Sequence, residues 1–461
     1  MDFEIRPLIQ MEQEYKMYRE KIEELIKWKK ENNRSVLIIK GAPRTGKTWL
    51  LKEFGEKYYD KTIYIDLKDE ADEESSNEVT NIKNLIEQKE NEDIEKSIED
   101  ILKITEENKT EHLIILDNLE YNENAVNNLK KLLKSNRKFD IVASISKYGL
   151  ALPENIKLPE NKVKHVTLRP LNFREFLLAT ENIDIEKLNI KDKIEEIENN
   201  NSKYLNSLKK YIFIGGMPEV VKDFCQNKNY SNARILQKNI LNKYEKELEK
   251  TPITIRENVK NVWNRIPERD LSNNGTWTYS EIREGAQVNE FEIAIKYLED
   301  LGYIYRINRI YKADMPLIVY QDKSLFNLFY IDIGLFSTKM KLELSVILEK
   351  DRIFTIYKEN LSEQYIMQEL RSRIDNSIYC WKSENFLNFV NFVFQYDGRI
   401  YGIKKMIEVL KNDVSLRLFH QNNDINNCIN ITLNKYTYEG WRKDIPIYLI
   451  GDINFIKYRK I

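Results

Sequence analysis

An α/β fold is what this 461-residue sequence predicts. It would be built on a parallel sheet with helices on both faces, followed by a helical segment and a second α/β unit. Three observations predict it. Short apolar runs alternate with charge-rich helical stretches over the first 180 residues, the order of βαβ units. A glycine-bearing turn joins the first such run to a helix. Far downstream, Asp397-Gly398 sits between two alternating apolar runs, a strong hairpin signal outside the first unit.

The elements follow in order. Residues 10–32 read as an amphipathic helix, with Met17, Ile22, Leu25, Ile26 and Trp28 at helical spacing. Strand-like runs come at 35–40, 62–66, 113–116, 141–144 and 166–168, with a helix expected from Lys47 to Tyr58. Residues 68–109, acidic and lysine-rich, read as solvated helix and loop. From 181 to 250 the pattern is helical, broken at Gly215-Gly216-Met217-Pro218. Around 255–315 three helices precede β-rich runs at 303–307 and 309–311, the winged-helix order. A helix over 359–373 then leads into strands at 389–396 and 399–406.

Composition excludes several classes. Lysine plus arginine (73) nearly cancels aspartate plus glutamate (74), so no global basic field exists for nucleic acid. No uninterrupted apolar run reaches the 18 or so residues of a membrane span. The opening MDFEIRPLIQ lacks a basic region followed by an apolar one, so the cytoplasm is the expected location. Cys225, Cys380 and Cys428 lie far apart, and three histidines show no paired ligand spacing, which argues against a zinc module.

The most specific signal is Gly41, Ala42, Pro43, Arg44, Thr45, Gly46, Lys47 and Thr48, which fits GxxxxGK[ST] at every fixed position. It follows an expected strand and opens an expected helix. In that context main-chain amides curl around phosphate oxygens and the helix N-terminus adds positive potential. Lys47 would reach the β- and γ-phosphates of ATP, and the Thr48 hydroxyl would ligate Mg2+. A second acidic residue at a neighbouring strand end is then required, and Asp117 after Leu113–Leu116 supplies it.

Through these motifs the chain resembles prokaryotic AAA-type P-loop ATPases that carry a nuclease-like C-terminal domain of unknown function. The resemblance is also carried by Arg19–Trp28, Leu168–Phe176, Gly215–Glu219 and Phe326–Leu335. It implies an ATP-binding AAA+-like core, a helical lid, a winged helix and a restriction-endonuclease-like (PD-(D/E)XK) fold. The corresponding divisions are an N-terminal helix at 1–34, then the core at 35–180, lid at 181–250, winged helix at 251–320 and nuclease-like domain at 321–461.

Departures from that pattern shape the functional expectation. The position after the Walker B aspartate is Asn118, where the family has glutamate. An amide can hold a water but cannot take its proton, so slow or absent hydrolysis is expected beside intact binding. Glu120 is the alternative base, on a loop beyond the strand. Ser144 matches a sensor position at the fourth strand's end, and its other reading is a serine satisfying local backbone. Arg169 and Arg174 read equally as surface charges, so no arginine finger is assigned. In the C-terminal unit Asn391 stands for the aspartate, and Lys404, Lys405 and Met406 for the Glu-x-Lys; Glu363 alone is kept. One carboxylate with added ammonium groups suits a divalent metal poorly, so nuclease activity is not expected. A register using Glu408 and Lys411 splits the pair across the sheet.

The leading expectation is a Mg2+-dependent, ATP-controlled switch, with Lys47, Asp117, Asn118 and Ser144 as its working side chains. Alternatives are an active ATPase using Glu120 or a partner residue, and a DNA-handling protein using the degenerate nuclease groove through Lys404 and Lys405. The bland reading of those lysines is a solvated strand face. The third helix of the winged-helix pattern, 289–301, carries four acids against Lys296, which disfavours groove insertion. Protein partners and self-association stay open.

Overall fold

The computed structural model describes residues 17–32, 34–68, 77–88, 94–103, 110–134, 138–268, 276–286, 288–349, 358–383, 387–405 and 414–457. Strands β1 (Val36–Lys40), β2 (Lys61–Asp66), β3 (His112–Asp117), β4 (Asp140–Ile145) and β5 (Val163–Thr167) form one sheet in the order β2-β3-β4-β1-β5. Every pairing is parallel. Burial on both faces explains why β1, β3 and β4 read as continuous apolar runs instead of alternating ones. One consequence positions the site: parallel strands open their C-terminal ends on the same sheet edge, so the segments after β1, β3 and β4 converge there.

Two expectations are corrected in this part. The first helix runs only from Ile22 to Lys29, and residues 10–16 lie outside the described region. The charged stretch 68–109 is not simply solvated. Its helices Asn77–Glu87 and Ile94–Leu102 bury Ile82, Ile86, Ile94, Ile98 and Leu102 in the core on one sheet face. A single apolar stripe at four-residue spacing suffices to dock a helix whose other positions are almost all polar.

The helical segment contains Phe173–Glu181, Ile190–Ile214, Pro218–Asn227 and Tyr230–Leu248. Helices Ile253–Arg265, Tyr279–Ile282 and Val288–Asp300 follow, then β6 (Ile304–Ile310) and β7 (Gln321–Tyr330) as an antiparallel pair. That pair belongs to a larger mixed sheet. With β8 (Ile378–Lys382), β9 (Phe389–Tyr396), β10 (Arg399–Lys405), β11 (Cys428–Thr432), β12 (Thr437–Tyr438) and β13 (Arg442–Pro446) it runs in the order β12-β13-β11-β10-β9-β8-β6-β7. Because β6 pairs in parallel with β8, main-chain hydrogen bonding continues across residue 320. At the β9–β10 turn Asp397 and Gly398 take positive φ (51° and 67°), as a two-residue hairpin requires.

Three segments far apart in sequence meet at one buried node. The Leu171 amide donates to the Gly216 carbonyl at 2.7 Å, and the Gly216 amide to Asp332 Oδ2 at 2.6 Å. A Cβ on Gly216 would sit 2.0 Å from the Leu171 carbonyl oxygen, so only glycine fits. Asp332 also caps its own helix by accepting from the Leu335 amide. Burial still pushes its carboxyl up to about 6. This node ties the first unit to the helical segment and to the end of β7.

Candidate nucleotide-binding site

Between β1 and the helix Lys47–Tyr58 the chain turns back on itself. Arg44 and Gly46 adopt positive φ (69° and 93°), and this alternation swings successive N–H groups toward one point. The amides of Arg44, Thr45, Gly46, Lys47 and Thr48 have no acceptor among the described residues. Such a row of unspent donors at a helix start is what an anion of several oxygens can use. Gly41 is required for space, since a Cβ there would lie 2.3 Å from the Leu168 carbonyl oxygen.

Lys47 is buried, 6% exposed, with its Nζ 2.9 Å from the Gly41 oxygen and 3.0 Å from the Ala42 oxygen. Its ammonium therefore lies in the hollow of the loop, held by neutral carbonyls that a phosphate can outcompete. Burial pulls its pKa down to about 8, against the opposing attraction of Glu120 and Asp117. At the helix start Thr48 Oγ1 donates to Asp117 Oδ2 at 2.6 Å, so the two expected metal ligands are adjacent. Tyr64 donates to the same oxygen at 2.9 Å, and the Ser144 hydroxyl donates to Asp117 Oδ1.

The remaining expected residues divide. Ser144 spends its hydroxyl locally, donating to Asp117 and accepting from the Asn118 amide at 3.1 Å. Asn118 is left-handed (φ 59°), and its Nδ2 donates to Asp66 Oδ1 at 2.9 Å. Glu120 does not project from a loop beyond the strand. It sits in a single 3-10 turn, Leu119–Tyr121, and folds back to accept from the Ser146 amide at 2.9 Å. Its Oε2 is buried without a hydrogen-bond partner. Burial raises its pKa while Lys47 and Lys147 draw it down. The left-handed turn at Asn118 redirects the chain so that the residue two positions on points inward, which spacing alone could not show.

Neither arginine left open by the sequence is an ordinary surface charge. Arg174 holds Asp184 at 2.7 Å and Glu20 at 2.8 Å, and Arg169 holds Asp375 at 3.1 Å. Arg19, at the start of the segment Arg19–Trp28, is buried and donates to the Thr45 carbonyl at 2.8 Å, bracing the loop from behind.

The loop is also held from the far side. Tyr244 donates to the Pro43 carbonyl at 2.8 Å, and Arg44 pairs with Glu219. The segment after β4 docks onto later helices: Lys147 pairs with Glu247 at 2.5 Å, and the Leu150 amide donates to Asp300 Oδ2 at 2.8 Å. A cleft of about 480 Å3 borders the helix Lys47–Tyr58, lined by Met17, Ile22, Trp49, Leu178 and others.

In the C-terminal unit, Asn391 Nδ2 donates to Glu363 Oε1 at 2.8 Å, and Lys405 Nζ lies 3.3 Å from the same oxygen. Lys404 Nζ turns the other way, onto the Phe389 carbonyl at 2.8 Å. Both lysines are buried, which corrects the solvated-face reading. Met406, Glu408 and Lys411 lie outside the described residues. On β6 Arg309 is likewise buried, pairing with Asp322 and donating to the Lys382 carbonyl.

Comparison with known proteins agrees with the first unit's geometry. A family model described as an AAA domain matches residues 33–177, and a domain of unknown function (DUF8612) matches residues 205–345. Among solved structures, the Walker-type ATPase PABY2304 of Pyrococcus abyssi is 14% identical with a TM-score of 0.39. That match covers 70% of this chain and 95% of that one. The Orc1 protein of Aeropyrum pernix, solved in complex with DNA, is 12% identical with a TM-score of 0.27, covering 71% and 92%. No curated protein matches. The chain thus carries an AAA-family, ATPase-like P-loop domain, which implies nucleotide binding, typically with Mg2+. A helical region and a mixed-sheet unit follow it. No helix among the described residues is long and apolar enough to cross a membrane.

Proposed function

We propose that this protein is a Mg2+-dependent ATP-binding switch with slow turnover. The observation that carries the reading is the run of amides from Arg44 to Thr48 without acceptors, beside the touching pair Thr48 and Asp117. The amides and Lys47 would hold the phosphates, and Thr48 and Asp117 would hold the metal, whose charge offsets that of the triphosphate when bound. The cleft lined by Met17, Ile22 and Trp49 would take the base. On this reading Gly41–Thr48 (with Ala42, Pro43, Arg44, Thr45, Gly46 and Lys47 between) would form the phosphate cradle.

Slow turnover follows from Asn118, which has no proton-accepting group and spends its amide on Asp66. Transmission would pass through Glu120 and Ser146 to the segment 147–150, which touches Glu247 and Asp300. The helical segment and the three-helix unit, read as lid and winged helix, would then respond to occupancy. The docked acidic helix Val288–Asp300 suits that internal role better than a DNA groove. Analysis of nucleotide retained by purified protein, with steady-state phosphate release, tests the reading. Release at motor-ATPase rates, lost in Lys47→Ala, would contradict slow turnover.

One observation favours a second reading, an ATPase that uses Glu120. Its buried, unpartnered Oε2 and raised pKa are what a general base needs. On this reading Glu120→Gln lowers phosphate release by about 100-fold or more while leaving ATP affinity within threefold. An unchanged rate excludes Glu120.

Restoring the family's residue is not expected to help. In Asn118→Glu a carboxylate would face Asp66, and the left-handed backbone would cost the new side chain about 1–2 kcal/mol. The expected result is a lower melting temperature with no gain in turnover, read by calorimetry and phosphate release.

A further inference from the structure

A second cleft, of about 470 Å3, lies between the C-terminal ends of β1 and β5 and the turn after the helix Val288–Asp300. It shares no lining residue with the cleft beside Trp49. Lys40, Gly41 and Ala42, where the phosphate loop begins, are among its lining residues. Gly302, with positive φ (71°), forms part of the opposite wall, and a Cβ there would stand 3.2 Å from the Ala42 nitrogen.

The charges of this cleft do not cancel. Lys296 is answered by Asp300 at 2.8 Å, Arg306 by Glu292 at 2.7 Å and Arg169 by Asp375 at 3.1 Å. Lys40 and Arg371 have no carboxylate partner among the described residues. The hydrogen bonds of Arg371 go to main-chain oxygens, the shortest at 3.0 Å to Asn376, and its guanidinium lies 5.6 Å from the Tyr305 ring centre. The Nε atoms of Arg169 and Arg371 are both buried without a hydrogen-bond partner. The Tyr305 hydroxyl is buried against these two guanidinium groups without a well-formed hydrogen bond to either.

Burial and the neighbouring Arg169 depress the Arg371 pKa, and burial depresses that of Lys40, so each cation is held at a cost. Glu299, the carboxylate of the cleft with no ion pair, is pushed up to about 7 by burial and so is only partly charged at neutral pH. The buried Arg169 and the part-buried Arg371, close enough to depress the Arg371 pKa, with an ammonium lining the same cleft and donors unspent, are the recognition chemistry of a multiply charged oxyanion. A monocarboxylate would leave part of that charge unmet. The volume is that of a small-molecule site.

We propose that this cleft binds a small phosphomonoester, gripped by Arg169, Arg371 and Lys40 with the Tyr305 hydroxyl as a further donor. The assignment does not depend on ATP binding at the Lys47 loop.

The test uses full-length protein carrying Lys47→Ala, which silences the phosphate loop. Inorganic phosphate and ribose 5-phosphate are titrated separately by isothermal calorimetry. Saturable binding of one ligand per chain is expected. The affinity should fall at least tenfold on adding Arg371→Gln and also on adding Lys40→Gln. Lys40 is the last residue of β1 and is only part-buried, so its variant keeps the test valid should Arg371→Gln not fold. No saturable binding in Lys47→Ala, or binding unmoved by Lys40→Gln, overturns the proposal.

Discussion

Lys47→Ala is expected to reduce Mg-ATP affinity at least 100-fold, about 2.7 kcal/mol, without lowering the melting temperature. The ammonium lies against the Gly41 and Ala42 carbonyls and would replace these two neutral contacts by charge-assisted bonds to phosphate. Stability should hold because the fold keeps this group buried at a desolvation cost, seen in its pKa of about 8. A pH dependence follows with a definite sign. Below about 8 the lysine is charged and ready. As pH rises through that value it loses its proton, so binding must take one up and affinity falls. Calorimetric titrations of the wild type at pH 7 and pH 9 check this, and equal affinities would remove Lys47 from the site.

Asp452→Ala is expected to destabilise the protein by about 3–5 kcal/mol, the cost of leaving a buried charge without its partner. Lys193, on the helix Ile190–Ile214, pairs with Asp452, and their side chains are 2% and 1% exposed. Asp452 also caps the final helix, accepting from the Phe455 amide at 3.0 Å. The pair joins the helical segment to the last turns of the chain across 259 positions. Denaturant unfolding measures the loss. The double variant Lys193→Met/Asp452→Leu should recover most of it, since a matched apolar pair leaves no stranded charge. Failure of that recovery would show that the helix cap, not the ion pair, dominates.

Much of the first unit was legible from sequence. The strand at 36–40, the helix Lys47–Tyr58 and the phosphate loop between them follow from apolar runs and glycine placement, both local properties. The Asp397-Gly398 hairpin was legible for the same reason, since positive φ at two successive residues selects those residue types. The buried helices within 68–109 were missed because their charged residues outnumber an apolar stripe only one residue wide per turn. The extent of the second sheet was missed because the β6–β8 pairing joins residues about 70 apart, and periodicity holds no record of which strands pair.

Within the site the same boundary applies. Gly41, Lys47, Thr48 and Asp117 could be placed by spacing, because phosphate and metal chemistry demand fixed residue types at fixed intervals. The inward turn of Glu120, the diversion of Asn118 onto Asp66 and the bracing by Arg19 and Tyr244 could not. Each depends on a single backbone torsion or on a contact between distant segments. By itself the sequence determined that a P-loop motif joins the first strand to its helix and which side chains it offers. Tertiary structure alone decided which carboxylate faces that loop, which cations remain unanswered behind it, and how the later helices grip it. The physical reason is that residue type sets a group's chemistry, while long-range packing sets its neighbours and its exposure to water.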